Sequence, residues 1–299
     1  MRVLITGGTG HLGRAITAGL NRDGHQVRIL ARRPGDDPGI EWVPGNLGAG
    51  ADLEQAVSGV DAVIHAATNS PAAQRGGFRP LDFIRSPTDV DIDGTTALLA
   101  AAATASVQHF VHVSIVGLPQ MARINPYSRV KLAAEQIVRA SRVPWSIVRA
   151  SGFYWLLERM LAKMAARPIL MLPGDVRMQA VDSDDFADFV VACTGDGERG
   201  ERQDFVGPET LSMRQLAEQY LGARGLRRRV WNVPMPRRIK AALEAGNTST
   251  HAYHGTTTWA EWLERSTAAP LSFGQPSALG HRSRSSLASG HDNQMARCR

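Results

Sequence analysis

Met1-Arg-Val-Leu-Ile-Thr-Gly-Gly-Thr-Gly-His-Leu-Gly13 opens the chain, and its reading decides the fold. Val3 to Thr6 is a short apolar, β-branched run of the kind buried inside a sheet. Gly7, Gly8 and Gly10 make a glycine turn, and His11 to Leu20 carries a helical apolar pattern with Gly13 inside its first turn. Strand, glycine turn and helix in that order form the phosphate-binding start of a dinucleotide fold. Glycine lets the backbone come close to a pyrophosphate, and the helix N-terminus offers free N–H groups and the positive end of its dipole. Gly7, Thr9, Gly10, His11, Leu12 and Gly13 are the residues expected to hold such a ligand.

Outward from this turn, strands and helices alternate. Further strands are expected at His25–Ala31, Ile40–Val43, Asp61–Ala67, Gln108–Ser114 and Trp145–Arg149. Helices are expected at Asp52–Val57, Asp89–Ala105 and Tyr127–Ser141. This spacing implies an α/β fold with a Rossmann-type, doubly wound parallel sheet, whose ligand crevice lies beyond the carboxyl ends of the strands. From Ser151 the alternation becomes irregular: a helix at Phe153–Ala165, strands near Ile169–Leu172 and Val176–Val181, and a helix from Asp184. Ser212 with Gln215 reads as a capping box opening another helix. The expected organisation is a dinucleotide-binding domain at 1–150 and a smaller substrate lobe at 151–263. The Asp184 helix and the Asp204–Val206 strand return to the main sheet, and a disordered tail covers 264–299.

Composition narrows the class. The chain has 299 residues, 43% hydrophobic and 21% charged, as in ordinary globular proteins. Its net charge of +6 would suit a nucleic-acid partner. Five arginines against one aspartate fall in residues 265–299, however, so the charge is assigned to the tail and no nucleic-acid partner is expected. No apolar run reaches the roughly 18 residues of a membrane span, and no membrane partner is expected. Cys193 and Cys298 match no metal pattern, and Cys193 reads as a small core residue. His11 and His65 lack the carboxylate or cysteine neighbours of a metal site, so no metal is expected. A reducing, cytoplasmic setting fits the sparse cysteines.

The end of the second strand discriminates between nicotinamide cofactors. An NAD-selective protein places an acid there for the ribose 2′-OH. Here the strand ends Ala31-Arg32-Arg33-Pro34, and two arginines suit a 2′-phosphate because guanidinium pairs bidentately with phosphate oxygens. NADPH is therefore expected over NADH.

Several further segments carry a resemblance. They are Val113-Ser-Ile-Val-Gly117, Tyr127-Ser-Arg-Val-Lys131 followed by Leu-Ala-Ala-Glu135, Arg149-Ala-Ser-Gly-Phe153, and Gly207-Pro-Glu209. With the glycine turn, and in this order, they resemble the short-chain dehydrogenase/reductase superfamily in its atypical, NmrA-like NAD(P)H-binding branch, over about residues 1–263. The resemblance implies a Tyr-x-x-x-Lys pair at the nicotinamide. Residues four apart share a helix face, so Tyr127 and Lys131 can point into one crevice. Lys131 would clamp the nicotinamide ribose and lower the phenol pKa from about 10, and Tyr127 would exchange a proton with a substrate oxygen while hydride moves. Ser114 is the candidate for the superfamily's third catalytic hydroxyl. Asn46 and Leu47 match an adenine-contacting pair. Ala66, Ala67 and Thr68 should lie along the cofactor, and Ser151, Phe153 and Tyr154 where nicotinamide meets substrate. The implied activity is reduction of a small, mainly apolar carbonyl, enone or quinone-like substrate. A cofactor-sensing regulator and a nucleotide-sugar epimerase or dehydratase are the alternatives.

Overall fold

The computed structural model describes residues 1–77, 80–197 and 199–268. Six strands build the first half: β1 (Arg2–Thr6), β2 (Gln26–Ala31), β3 (Ile40–Pro44), β4 (Ala62–His65), β5 (His109–Ile115) and β6 (Trp145–Ala150). They lie parallel in the order β3-β2-β1-β4-β5-β6, the Rossmann order, with the switch of direction between β1 and β4. Two short strands, Asp204–Val206 and Ala252–His254, extend the sheet beyond β6, so the second half of the chain rejoins the first.

Helices cover both faces, and the strand sequences show why. Val3, Leu4 and Ile5 of β1 are all fully buried, as both sides of a parallel strand must be. Val3 and Ile5 pack with Ile16 and Leu20 of helix α1 (His11–Arg22) and with Phe186, Val190 and Val191 of the Ser183–Gly195 helix. Leu4 faces the opposite layer, made by Leu53, Leu98, Leu99 and Val138 from the Leu53–Val57, Thr95–Thr104 and Pro126–Arg139 helices. Cys193 is 1% exposed within the first of these layers.

A separate apolar cluster holds the second lobe. The Tyr154–Ala165, Met213–Ala223 and Trp259–Ala268 helices enclose Leu157, Leu161, Leu216, Tyr220 and Trp259. A two-stranded parallel ribbon, Ile169–Leu172 with Arg229–Asn232, flanks them. Ser212 and Gln215 form the capping box expected of them.

Three expectations are corrected. The segment read as one helix from Asp89 is two pieces, a π-helical turn at Asp89–Gly94 followed by an α-helix at Thr95–Thr104. The strand near Val176–Val181 contracts to Arg177–Met178, paired with Leu211–Ser212. The last helix runs on to Ala268, into the stretch expected to be disordered, and Arg265 forms an ion pair with Asp182. The rest of the expected tail, 269–299, lies outside the described residues. Among the described residues no helix is long and apolar enough to cross a membrane.

Candidate active site and cofactor cradle

The glycine turn leaves β1 at its carboxyl end and packs on the end of β4. Gly7 has φ +77°, and a Cβ there would stand 2.7 Å from the Ala67 backbone nitrogen. A Cβ on Gly13 would stand 2.1 Å from the Gly7 carbonyl oxygen, an overlap that backbone cannot relieve. Gly10 differs, since its Cβ would meet only Gly7 O at 3.3 Å. Gly10 caps α1 in extended conformation with no side-chain hydrogen bond, which leaves the first-turn N–H groups to a ligand. Thr9, Gly10 and His11 are exposed, whereas Leu12 packs against the sheet core. Close-fitting glycines behind an uncapped helix start fit a dinucleotide pyrophosphate.

Parallel register carries the other expected segments to the same rim. Thr6 is opposite Leu30 on β2 and His65 on β4, so Arg32 and Arg33, both exposed, follow β2 beside the turn, and Ala66, Ala67 and Thr68 follow β4 on its other side. Asn46 is exposed at the end of β3, where its carbonyl accepts from the backbone N–H groups of Ala49 and Ala51, each at 3.1 Å. Leu47 points inward instead: it is 8% exposed and belongs to the core under the sheet.

The Pro126–Arg139 helix carries the expected Tyr127 and Lys131. Its cap is Asn125, whose side chain accepts from Tyr127 N at 2.9 Å. Tyr127 and Lys131 share one face, as their spacing requires. Thr68 Oγ1 donates to Asp91 Oδ1 at 2.8 Å and lies 2.9 Å from Tyr127 Oη. With its own proton committed to a carboxylate, the Thr68 oxygen accepts the phenol's proton. Asp91 Oδ2 takes the Asn69 N–H at 2.9 Å. Lys131 Nζ lies 3.6 Å from Asp91 Oδ1 and donates to Val113 O at 3.0 Å. Lys131 is 3% and Asp91 1% exposed, so this is a buried ion pair.

That pairing reverses the expected electrostatics of the tyrosine. Burial pushes the Tyr127 phenol well above its ordinary pKa, and the Asp91 charge pushes it further. The lysine expected to stabilise a phenolate faces Asp91 instead. Tyr127 is thus held in its protonated form.

Asp91 was not read from the sequence. It sits on the π-helical turn, in a stretch whose alanine-rich continuation reads as plain helix. An acid followed by Gly94-Thr95 at a helix start was the available signal. Thr95 Oγ1 donates to Asp91 O at 2.8 Å, and His65 bridges Thr6 Oγ1 (2.6 Å) and Thr95 Oγ1 (2.9 Å). Burial and the nearby Lys131 charge lower the His65 pKa to about 3, so a neutral ring ties β1 to the turn that carries Asp91.

Ser114 occupies a different environment. Its hydroxyl is buried beside the Glu135 carboxylate without a well-formed hydrogen bond. Glu135 binds Arg149 through both oxygens, at 2.7 and 2.8 Å, and Arg139 at 2.7 Å. Burial raises the Glu135 pKa, but Arg149 and Arg139 outweigh it and hold the carboxyl below its ordinary range. The hydroxyl that reaches Tyr127 is that of Thr68.

The aromatic triplet divides by face. Tyr154 is 2% exposed, its ring packs on Trp259 and Trp262, and its hydroxyl donates to Thr257 O at 3.1 Å. It is a core residue of the second lobe and not part of the crevice wall. Phe153 packs on Phe186 of the main core, and Ser151 Oγ donates to Gln179 O at 2.5 Å. Trp155 is the one that reaches the glycine turn, stacked on His11 with ring centroids 4.5 Å apart and planes within 10°. Partial burial, Arg14 and Arg159 lower the His11 pKa. The segment after Thr68 is clasped to the same helix: Arg159 Nη2 donates to Gln74 O at 2.5 Å and Lys163 Nζ to Arg75 O at 3.4 Å.

Comparison with known proteins agrees with this geometry. The family model described as NAD(P)H-binding matches residues 7–197. The chain belongs to this NAD(P)H-binding family. It is 34% identical over 223 residues to a (4-alkanoyl-5-oxo-2,5-dihydrofuran-3-yl)methyl phosphate reductase of Streptomyces griseus, covering 73% of this chain and 72% of the relative. It is 32% identical to the photosystem II assembly factor Ycf39 of Trieres chinensis, over 63% of this chain and 58% of that one. An NADPH-dependent quinone oxidoreductase of Escherichia coli, solved with NADPH, shares the fold at TM-score 0.70 and 15% identity, over 88% of this chain and 99% of that chain. A short-chain dehydrogenase/reductase protein of Agrobacterium tumefaciens with bound NAD does so at 0.69 and 22%, over 90% and 97%.

Proposed function

We propose that this chain is an NADPH-dependent oxidoreductase acting on a small, mainly apolar carbonyl, enone or quinone-like substrate. The carrying observation is the hydrogen-bonded array Tyr127–Thr68–Asp91–Lys131, set at the carboxyl ends of β4 and β5 beside the glycine cradle. Bound cofactor would supply hydride. Gly7–Gly13 would hold its pyrophosphate, Lys131 its ribose, and Arg32 and Arg33 a 2′-phosphate. Ala66, Ala67 and the exposed edge at Asn46 would line its path. Tyr127, protonated and half-buried, would give its proton to the developing oxyanion of the substrate. The Streptomyces relative supports the carbonyl and enone part of this class, because its name describes a reductase of an alkanoyl-oxo-dihydrofuran, there carried on a methyl phosphate. Residues 1–150 are the cofactor domain in this reading, and 151–263 the substrate lobe.

The test is loss of NADPH absorbance against a carbonyl and quinone panel. Tyr127→Phe should slow turnover by roughly 10²- to 10⁴-fold and leave NADPH affinity intact. Tight NADPH binding with no turnover anywhere on the panel would overturn the enzyme reading in favour of a cofactor sensor. Replacing Arg32 or Arg33 with Ala should weaken NADPH roughly tenfold or more while leaving NADH unchanged, the loss expected for a charged hydrogen bond. Equal losses for both cofactors would refute the 2′-phosphate assignment.

A further inference from the structure

The net positive charge of the chain is not confined to its end. Residues 227–240, Arg-Arg-Arg-Val-Trp-Asn-Val-Pro-Met-Pro-Arg-Arg-Ile-Lys, hold six basic residues and no acid. They form the second strand of the two-stranded ribbon and the start of the Arg237–Ala245 helix. Arg227, Arg228, Arg229, Arg237 and Arg238 are exposed, and none has a carboxylate partner among the described residues. The ribbon's outer face is apolar among these charges. Trp231 stands opposite Met171 in the parallel register, and the two are 55% and 61% exposed. Their strand neighbours Leu170 and Leu172 point inward and are buried. Strand alternation puts Arg229 on the outer face with Trp231.

An exposed tryptophan beside a methionine, with Arg229 on the same face and further exposed arginines before and after it in the chain, has the composition of an interfacial anchor. The indole and thioether enter the headgroup boundary, and the arginines meet anionic headgroups within a Debye length. We propose that this face docks peripherally on an anionic lipid surface. The expectation of no membrane partner rested on the absence of a span, and a docked face requires none. A nucleic acid would satisfy the charge but give the outward Met171 and Trp231 pair less to do. The proposal is independent of the substrate assigned to the crevice.

The full chain is sedimented with vesicles of phosphatidylcholine alone and of phosphatidylcholine with phosphatidylglycerol. Binding should require phosphatidylglycerol and weaken steeply with added salt. Replacing Arg227, Arg229, Arg237 and Arg238 together with Gln should weaken it by well over tenfold, at about fivefold per basic residue. Trp231→Ala should weaken it without altering the salt slope. NADPH binding, measured on the same preparations, should be unchanged, showing that each variant is folded and separating this result from any failure of the cofactor reading. Equal binding to neutral vesicles, or unaltered binding by the quadruple variant, would overturn the proposal. So would unaltered vesicle binding by Trp231→Ala combined with capture of duplex DNA at the same face.

Discussion

Asp91 and Lys131 face each other at 3.6 Å, almost without solvent, at the centre of the crevice wall. Removing one member of a buried pair strands the other, at a typical cost of about 3–5 kcal/mol. Lys131→Met should therefore lower stability by about 3 kcal/mol in urea unfolding at pH 7, and adding Asp91→Asn should recover most of that loss. Additive losses would show that the two side chains are not coupled. Asp91→Asn alone also has a kinetic signature. It removes a charge that raises the Tyr127 pKa, so the alkaline limb of kcat against pH should move to lower pH. An unmoved limb would detach Asp91 from the phenol. At this scale the sequence was legible where a motif has fixed spacing, as with Tyr127 and Lys131. Asp91 escaped because it acts from a π-helical turn, whose one extra residue per turn is invisible in an alanine-rich pattern. Tyr154 was misplaced because three consecutive aromatics must diverge around a helix, and only the packing of the second lobe decides which one turns inward.

The turn between β1 and α1 separates two duties among its glycines. Gly13 serves the fold, since any Cβ there would collide with the Gly7 carbonyl. A Cβ at Gly10 would meet Gly7 O alone, at a tight 3.3 Å that a shift of a few tenths of an ångström relieves, so its bareness serves whatever approaches the helix start. Gly13→Ala should be strongly destabilising, whereas Gly10→Ala should keep the melting temperature within a few degrees, as expected for a mild change at a helix cap. It should nevertheless weaken NADPH binding. Thermal melts with and without NADPH check both, and a destabilised Gly10→Ala variant would refute the division. Elements with strong local signals matched their reading: β1, the helix after it, and the Ser212 capping box. The Ala252–His254 strand carried no such signal. It is three residues of mixed polarity, and it exists because the edge strand Asp204–Val206 offers a ladder to join.

At the scale of the whole molecule, three histidines among the described residues, His65, His109 and His112, are buried in the main sheet, and burial lowers the pKa of each. Burial lowers His65 to about 3 and His109 to about 4. Each is neutral in the folded chain at pH values where the unfolded chain already binds a proton. Their contribution to stability is complete above about pH 6.5 and is lost as pH falls toward those values, at up to about 1.4 kcal/mol per unit for each ring. Melting temperature should therefore decline steeply between pH 6 and 4, and His109→Gln should shallow the decline. A flat profile to pH 4.5 would contradict the buried, neutral rings. The strand order was readable because alternation with helices leaves few parallel topologies. The placement of the basic ribbon was not, because charge counted along a chain says nothing of the face on which it gathers.

The grip on the segment after Thr68 has one more consequence. Arg159 and Lys163 hold it by the carbonyl oxygens of Gln74 and Arg75. Every amino acid supplies a carbonyl, so this tether is indifferent to the side chains at the two positions it holds. Gln74 and Arg75 can be exchanged while the anchoring helix keeps its grip, as with a latch that reads only the backbone.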